Sequence, residues 1–230
     1  MKIQTSKVII SIGIVFSLFL SAVFLFSDVN IINTEREDFQ ISNRVLFYLV
    51  LFIFQARFFY LINFVKKNNV THQAISRLKY PNVTDAITGI FLFCILPLVL
   101  THLNIYFNQS LNFWYLIFFL IYILGTSITL ISEFQRRQWK IKNKSELKIY
   151  SGGLYKHALY INYFGEILSQ PAMWFIATGV WWISFIALCY QLYDFLFVHI
   201  PRQEKYLHDK YKAHFLETSF NRKKLIPKIY

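Results

Sequence analysis

The chain has 230 residues, 56% of them hydrophobic and 16% charged, with 25 Phe and a formal net charge of +12. That balance excludes an ordinary soluble domain and points to a polytopic membrane protein. The two cysteines, Cys94 and Cys189, sit in apolar runs and offer neither a disulfide framework nor a metal-ligand spacing.

A helix needs about 20 apolar residues to cross a bilayer, and six stretches qualify: Val8–Phe26, Val45–Val65, Ala86–Phe107, Leu111–Phe134, Ala158–Ala177 and Val180–Ile200. The first follows Lys2 and Lys7 as a signal peptide would. Its apolar run is long for that role and no small-x-small cleavage site follows, so it reads as a retained span. The loop after it sets Asp28, Glu35, Glu37 and Asp38 against Arg36 and Arg44. The next loop holds Lys66, Lys67, Arg77 and Lys79, and the one near Asn108 holds no basic residue. Between the fourth and fifth spans lie Arg136, Arg137, Lys140, Lys142, Lys144, Lys148 and Lys156. The tail beyond the sixth runs from Arg202 to Lys228 and is again basic. Of the 24 basic residues, all but Arg36, Arg44 and Arg57 thus fall on one side of a six-span arrangement. Excess Lys and Arg mark the cytosolic side. The expectation is an all-α transmembrane bundle of about six spans with both termini in the cytosol. It is one integral membrane domain, 1–230, and monomeric, in a bacterial inner membrane or the endoplasmic reticulum. The positive charge is then a topology signal rather than a nucleic-acid footprint.

Four ionisable residues interrupt the spans: Arg57, Glu133, Glu166 and Asp194. Each costs roughly 2.5–3.5 kcal/mol to insert, so such groups face a cavity or a partner. Counted from the basic flanks at about 1.5 Å per residue, all four belong to the cytosolic half, which suggests one pocket open to the cytosol. On the fifth span Ala158, Asn162, Glu166 and Gln170 recur at i+4 and form one polar stripe, and Pro171 is expected to kink or re-route that helix. A structural network accounts for the same residues if Glu166 pairs with Arg57 and locks the bundle. His102, His157 and His199 lack metal-ligand spacing, so no metal site is expected. No G-x-G-x-x-G or G-x-x-x-x-G-K-[ST] stretch marks a soluble nucleotide fold.

The stretch "SGGLYKHALYINYFGE" resembles the C-terminal signature of the steroid 5α-reductase family, a Gly-Gly-Leu-Phe opening followed by Asn-Tyr/Phe-Phe/Leu-Gly-Glu. The ending "NRKKLIPKIY" resembles that family's Arg-Lys-Ala-Leu-Ile-Pro, and "ILGTSITLISEFQRRQWK" lines up without a gap through Glu166. The resemblance covers Ile123 to Tyr230. It implies an integral membrane reductase that moves hydride from NADPH to a carbon–carbon double bond conjugated to a carbonyl in a steroid-like or other lipid. Residues 111–230 would be the cofactor-binding region, and residues 1–110, matched loosely, the substrate side. Carried over by position, Glu133 is an acidic cofactor contact, and Arg137, Lys140 and Lys148 take basic positions. Asn162 and Glu166 touch the nicotinamide end, and Arg57 matches an arginine of an earlier span. Tyr206 or Tyr211 takes the cofactor-binding tyrosine. Basic side chains in the fourth loop would hold phosphates by charge-assisted hydrogen bonds.

The chain also departs from that pattern. Thr129 replaces an asparagine. Animal members carry a further early span whose Gln-Glu-Leu-Pro glutamate works with a tyrosine to polarise the substrate carbonyl; neither is found, and Phe54 stands near the tyrosine's position. Tyr60 and Tyr163 are the candidate proton donors. The isoprenylcysteine carboxyl methyltransferases of the same superfamily, which bind S-adenosylmethionine, are the alternative. Their tail pattern is partly echoed by "PRQEKYLHDKYKAHF", but their Arg-His-Pro triplet is here Leu159-Tyr160-Ile161. A non-catalytic membrane homologue is the third reading.

Overall fold

A computed structural model describes residues 3–26, 41–61, 63, 91–107, 109–143, 148–211 and 222–227. The described elements are all helical: α1 (Ile3–Phe26), α2 (Ile41–Tyr60), a π-helical turn Phe91–Ile95 leading into α3 (Leu96–Phe107), and α4 (Phe113–Lys142). A 3-10 turn at Gly153–Lys156 precedes α5 (Ile161–Thr178). Then come α6 (Trp181–Tyr193), a π-helical segment Asp194–His199 and α7 (Ile200–Tyr211). Ser42–Tyr60, Phe113–Lys142 and Trp181–Tyr211 are long and apolar enough to cross a membrane, and Ile10–Phe26 and Phe93–Phe107 are shorter apolar runs. The fold is an all-helical membrane bundle, the architecture in which backbone groups are satisfied within each segment.

Two boundaries differ from the sequence reading. The fourth helix does not stop near Phe134 but runs to Lys142, so Arg136, Arg137, Lys140 and Lys142 are helical rather than in a loop. The fifth begins at Ile161, which leaves Ala158 buried in the preceding turn and off the polar stripe. Helix α5 continues through Pro171 to Thr178. Residues 64–90, which carry the end of the second expected span and the start of the third, lie outside the described residues.

The chain divides into two compact units. The first comprises Met1–Tyr115 with Ile176–Gly179. In lipid, apolar area does not drive helices together; small residues and interhelical hydrogen bonds do. Helix α1 accordingly buries Ile14, Ser17, Ser21 and Leu25 on one face and exposes Ile12, Val15, Phe16, Phe19 and Val23 on the other. Pro97 has no N–H to give the Phe93 carbonyl four residues back. That carbonyl is taken instead by Gln55 Nε2 (2.9 Å) and Ser17 Oγ (3.2 Å). Thr101 Oγ1 and Ser21 Oγ meet at 3.0 Å. Arg57, 3% exposed on α2, lays its guanidinium 4.6 Å from the centroid of the Phe58 ring and 5.8 Å from that of Phe54, a cation–π arrangement.

The second unit comprises Leu116–Phe175 and Val180–Tyr230. Its central feature is the crossing of α4 and α5. A Cβ added to Gly165 would lie 2.4 Å from Thr129 Oγ1 and 2.6 Å from the Gly125 carbonyl oxygen; one added to Gly125 would lie 2.5 Å from the Gly165 carbonyl oxygen. Only two glycines allow this approach. Thr129 Oγ1 sits 3.2 Å from the Gly125 carbonyl and 3.1 Å from that of Asn162, linking the helices beside the crossing. Ser184 Oγ of α6 donates to the Pro171 carbonyl (2.8 Å), and Phe118 stacks on Phe175 at 4.0 Å. The described part of the tail is sewn onto the turn before α5. Leu159 N–H donates to the Lys223 carbonyl (2.9 Å) and Tyr160 N–H to that of Lys224 (2.8 Å). Leu225 is buried among Leu159, Tyr160, Ile167, Phe195 and Ile200.

Candidate functional site

The close helix crossing sets Glu133 of α4, one turn beyond Thr129, beside Asn162 of α5. Asn162 Nδ2 donates to Glu133 Oε1 at 3.2 Å, and the Tyr155 hydroxyl approaches the same oxygen at 3.4 Å. Arg136, one turn further along α4, pairs with Glu133 Oε2. The carboxylate is thus buried but held by three donors from three elements, which is what a charge needs in such a place. Burial pushes the Tyr155 phenol up, with Arg136 pulling against the shift. Tyr155 is therefore an O–H donor to Glu133 throughout the physiological range.

The turn carrying Tyr155 is fixed from both sides. Gly153 has φ +52°, and a Cβ there would lie 2.1 Å from Gln135 Oε1, the atom that accepts the Leu154 N–H at 2.9 Å. Glycine's freedom in the left-handed region makes this close approach possible. From the other side Arg222 Nη1 donates to the carbonyls of Ser151 (3.0 Å) and Tyr155 (3.1 Å).

The remaining sequence-derived residues fall as follows. Glu166 is half-buried on α5, and its Oε2 accepts from Gln170 Nε2 at 3.3 Å, so the i+4 stripe runs Asn162–Glu166–Gln170. Arg137 is half-buried on α4, with its Nε buried and without a hydrogen-bond acceptor among the described residues. Lys140, one turn past Arg136, lies within electrostatic reach of Arg136, of Lys210 on α7 and of Glu133. Lys148 is exposed. Tyr206 and Tyr211 are half-buried on α7 and both attend Lys210. Its Nζ donates to the Tyr206 hydroxyl (3.1 Å) and lies 5.2 Å from the centroid of the Tyr211 ring. Tyr163 is half-buried on α5, its ring stacked on Phe195 at 4.6 Å. Arg57 and Tyr60 belong to the first unit.

Three residues of this cluster are absent from the sequence reading of the site. Arg136 was readable only as loop charge, although the i,i+3 spacing from Glu133 on one helix signals the pair. Tyr155 lies inside the quoted Gly-Gly motif without a role there. Arg222 acts through backbone carbonyls, which leave no pattern in a sequence.

A buried carboxylate–amide–guanidinium cluster on crossing membrane helices, with a row of cations along one of them, defines an integral membrane protein with a polar site built inside its helices. The profile of the 3-oxo-5-alpha-steroid 4-dehydrogenase family matches residues 79–230, and the chain belongs to that family. No curated protein matches the chain at a significant level.

Proposed function

We propose that the protein is an NADPH-dependent reductase of a carbon–carbon double bond conjugated to a carbonyl, acting on a steroid-like or other membrane lipid. Family membership supports a steroid-type reductase. The observation that carries the finer reading is the convergence of Glu133, Asn162, Tyr155 and Arg136 within the matched region.

The residues present fit a dinucleotide. Among the described residues the buried Arg137 Nε lacks an acceptor, and Arg136, Lys140 and Lys210 gather positive charge near Glu133. Cations so gathered suit diphosphate oxygens. In this reading Arg137, Lys140 and Lys148 hold phosphates, and Tyr206 or Tyr211 flanks them. Glu133, Asn162 and Glu166 hold the nicotinamide end through amide and carboxylate groups matched to a carboxamide. The cofactor, when bound, supplies the hydride. The chain's work is orientation and the exclusion of water from the reacting carbon. The spans of residues 1–110 supply the substrate side and residues 111–230 the cofactor side. The chain crosses the membrane several times with both termini in the cytosol and acts as a monomer.

The test is thermal unfolding of the detergent-purified protein with NADPH, NADH or S-adenosylmethionine. A ligand that binds only the folded state raises Tm by mass action. Stabilisation by NADPH, reduced in Glu166→Gln, is the expected result. Stabilisation by S-adenosylmethionine alone would establish the methyltransferase alternative, and no response to any of the three would leave a non-catalytic homologue.

A further inference from the structure

We propose that Lys210 of α7, together with Lys140 of α4, forms a site for a phosphate monoester, and that this site selects the 2′-phosphorylated dinucleotide over its unphosphorylated form. The inference rests on the reductase reading above and deepens it by naming the residue that chooses the cofactor. The family resemblance assigns Lys140 and one of Tyr206 and Tyr211, but not Lys210.

The order of groups along α4 is the first observation. Glu133, Arg136 and Lys140 follow at i, i+3 and i+7 and share one face of the helix. Glu133 lies beside Asn162, at the end assigned to the nicotinamide. Lys140 lies toward the C-terminal end of α4, about 10 Å further along the axis at 1.5 Å per residue. A dinucleotide carries its groups in one covalent order: nicotinamide, ribose, diphosphate, second ribose, adenine. With the carboxamide at Glu133 and Asn162, the diphosphate falls one turn on, at Arg136 and Arg137. The second ribose then falls at Lys140, and the 2′-phosphate is carried on that ribose.

What meets Lys140 there is the second observation. It is half-buried and within electrostatic reach of two further cations, Arg136 from its own helix and Lys210 from α7. Against them stands Glu133, which Arg136 already engages. Cations brought together from two helices repel, and an anion between them relieves the repulsion.

The setting of Lys210 is the third. Lysine is ordinarily a point charge on a flexible stem. Here its Nζ donates to the Tyr206 hydroxyl at 3.1 Å and lies 5.6 Å and 5.2 Å from the centroids of the Tyr206 and Tyr211 rings. Two tyrosines thus hold the ammonium by a hydrogen bond and by their ring faces. Its sequence neighbour Asp209 is set 3.9 Å from His208 Nδ1. An ammonium has three N–H donors, so a phosphate oxygen can be served with both tyrosines in place.

A phosphate monoester carries about −1.5 to −2 charges at neutral pH and three strong acceptor oxygens. Two lysines can share it. A ribose hydroxyl in its place carries no charge and leaves the two lysines facing each other. Selection therefore works by attraction toward one dinucleotide and by unrelieved repulsion against the other.

The experiment uses the full chain in detergent and reads Kd by isothermal titration calorimetry for NADPH and NADH, with adenosine 2′,5′-bisphosphate and ADP as the matching fragments. Wild type is expected to bind NADPH more tightly than NADH. Lys210→Gln narrows that gap by about 10–100-fold, the worth of one hydrogen bond to a charged group, by weakening NADPH while NADH is held as before. The fragments follow suit, the bisphosphate weakening and ADP not. Lys210→Arg keeps most of the gap, and Tyr206→Phe narrows it by less than Lys210→Gln does. A Lys210→Gln protein with the wild-type NADPH-to-NADH ratio overturns the proposal alone. So does one that loses both dinucleotides equally, which would put Lys210 on the diphosphate. If Lys210→Gln does not fold, Lys140→Gln takes its place, and an unchanged ratio there overturns the proposal. Wild type that binds both dinucleotides equally overturns it too, leaving a reductase indifferent to the 2′-phosphate. Wild type that binds neither sinks the proposal together with the reductase reading.

Discussion

Gly165→Ala tests the geometry on which the whole site stands. The added methyl would fall 2.4 Å from Thr129 Oγ1, 2.6 Å from the Gly125 carbonyl oxygen and 2.9 Å from the Thr129 backbone nitrogen. Two of those atoms are main chain of α4 and cannot rotate aside, so the helices must part. Overpacking of this kind costs about 1–3 kcal/mol, and the contact with backbone puts this site at the upper end. Parting the helices also strains the Thr129–Asn162 hydrogen bond (3.1 Å), worth about 1 kcal/mol. Alanine's better helix propensity returns about 1 kcal/mol. The net expectation is a loss of about 3 kcal/mol, read as a fall of roughly 6–12 °C in Tm by thermal unfolding in detergent. The same displacement separates Asn162 from Glu133, so NADPH should stabilise the variant less than wild type. Gly152→Ala is the control, because the nearest atoms to its Cβ are those of the Tyr150 side chain, at 3.1 Å or more, and not helix backbone. A Gly165→Ala protein as stable as wild type would refute backbone contact between α4 and α5, and with it the route by which Asn162 reaches Glu133.

Two further substitutions probe the tail. Arg222→Gln removes a guanidinium that serves two carbonyls; the expected loss is about 1–3 kcal/mol in chemical or thermal unfolding, with Arg222→Lys falling between the two. Leu225→Ala empties a side chain only 1% exposed and should cost about 2–5 kcal/mol, with faster proteolysis after Arg222 as the local readout.

The helices were legible because hydropathy and chain length decide them: the long apolar runs around Phe52, Leu120 and Phe185 all returned as helices. The polar stripe of α5 was legible for the same kind of reason, since Asn162, Glu166 and Gln170 repeat at helical spacing. What periodicity could not reveal is whatever departs from it. The Asp194–His199 pair needs a π turn, and a 3.6-residue repeat sets those two residues on different faces. The reach of α4 to Lys142 was missed because the apolar run ends near Phe134, whereas good helix formers such as Arg, Gln and Lys continue the backbone pattern without it. Gly125 and Gly165 did carry a signal, small residues inside apolar helices, but which pair of helices they join is a tertiary fact.

Two stretches of the matched region, the Gly-Gly turn and the Arg-Lys-Lys-Leu-Ile-Pro ending, are far apart in sequence and meet in space. Arg222 grips the Ser151 and Tyr155 carbonyls, and Lys223 and Lys224 accept from Leu159 and Tyr160. The turn before α5 presents the Leu159 and Tyr160 N–H groups and the Ser151 and Tyr155 carbonyls, and residues 222–227 are non-helical. Their pairing satisfies these groups, and Leu225 packs into the apolar cluster of Leu159, Tyr160, Ile167, Phe195 and Ile200. The consequence reaches the site by rigid contact. The turn that Arg222 holds is the one whose Tyr155 phenol meets Glu133, and Glu133 is the group that draws Asn162 and Arg136 together. A carboxylate buried between membrane helices is thus oriented in part from the C-terminal tail, so a substitution there alters the site without touching any ligand.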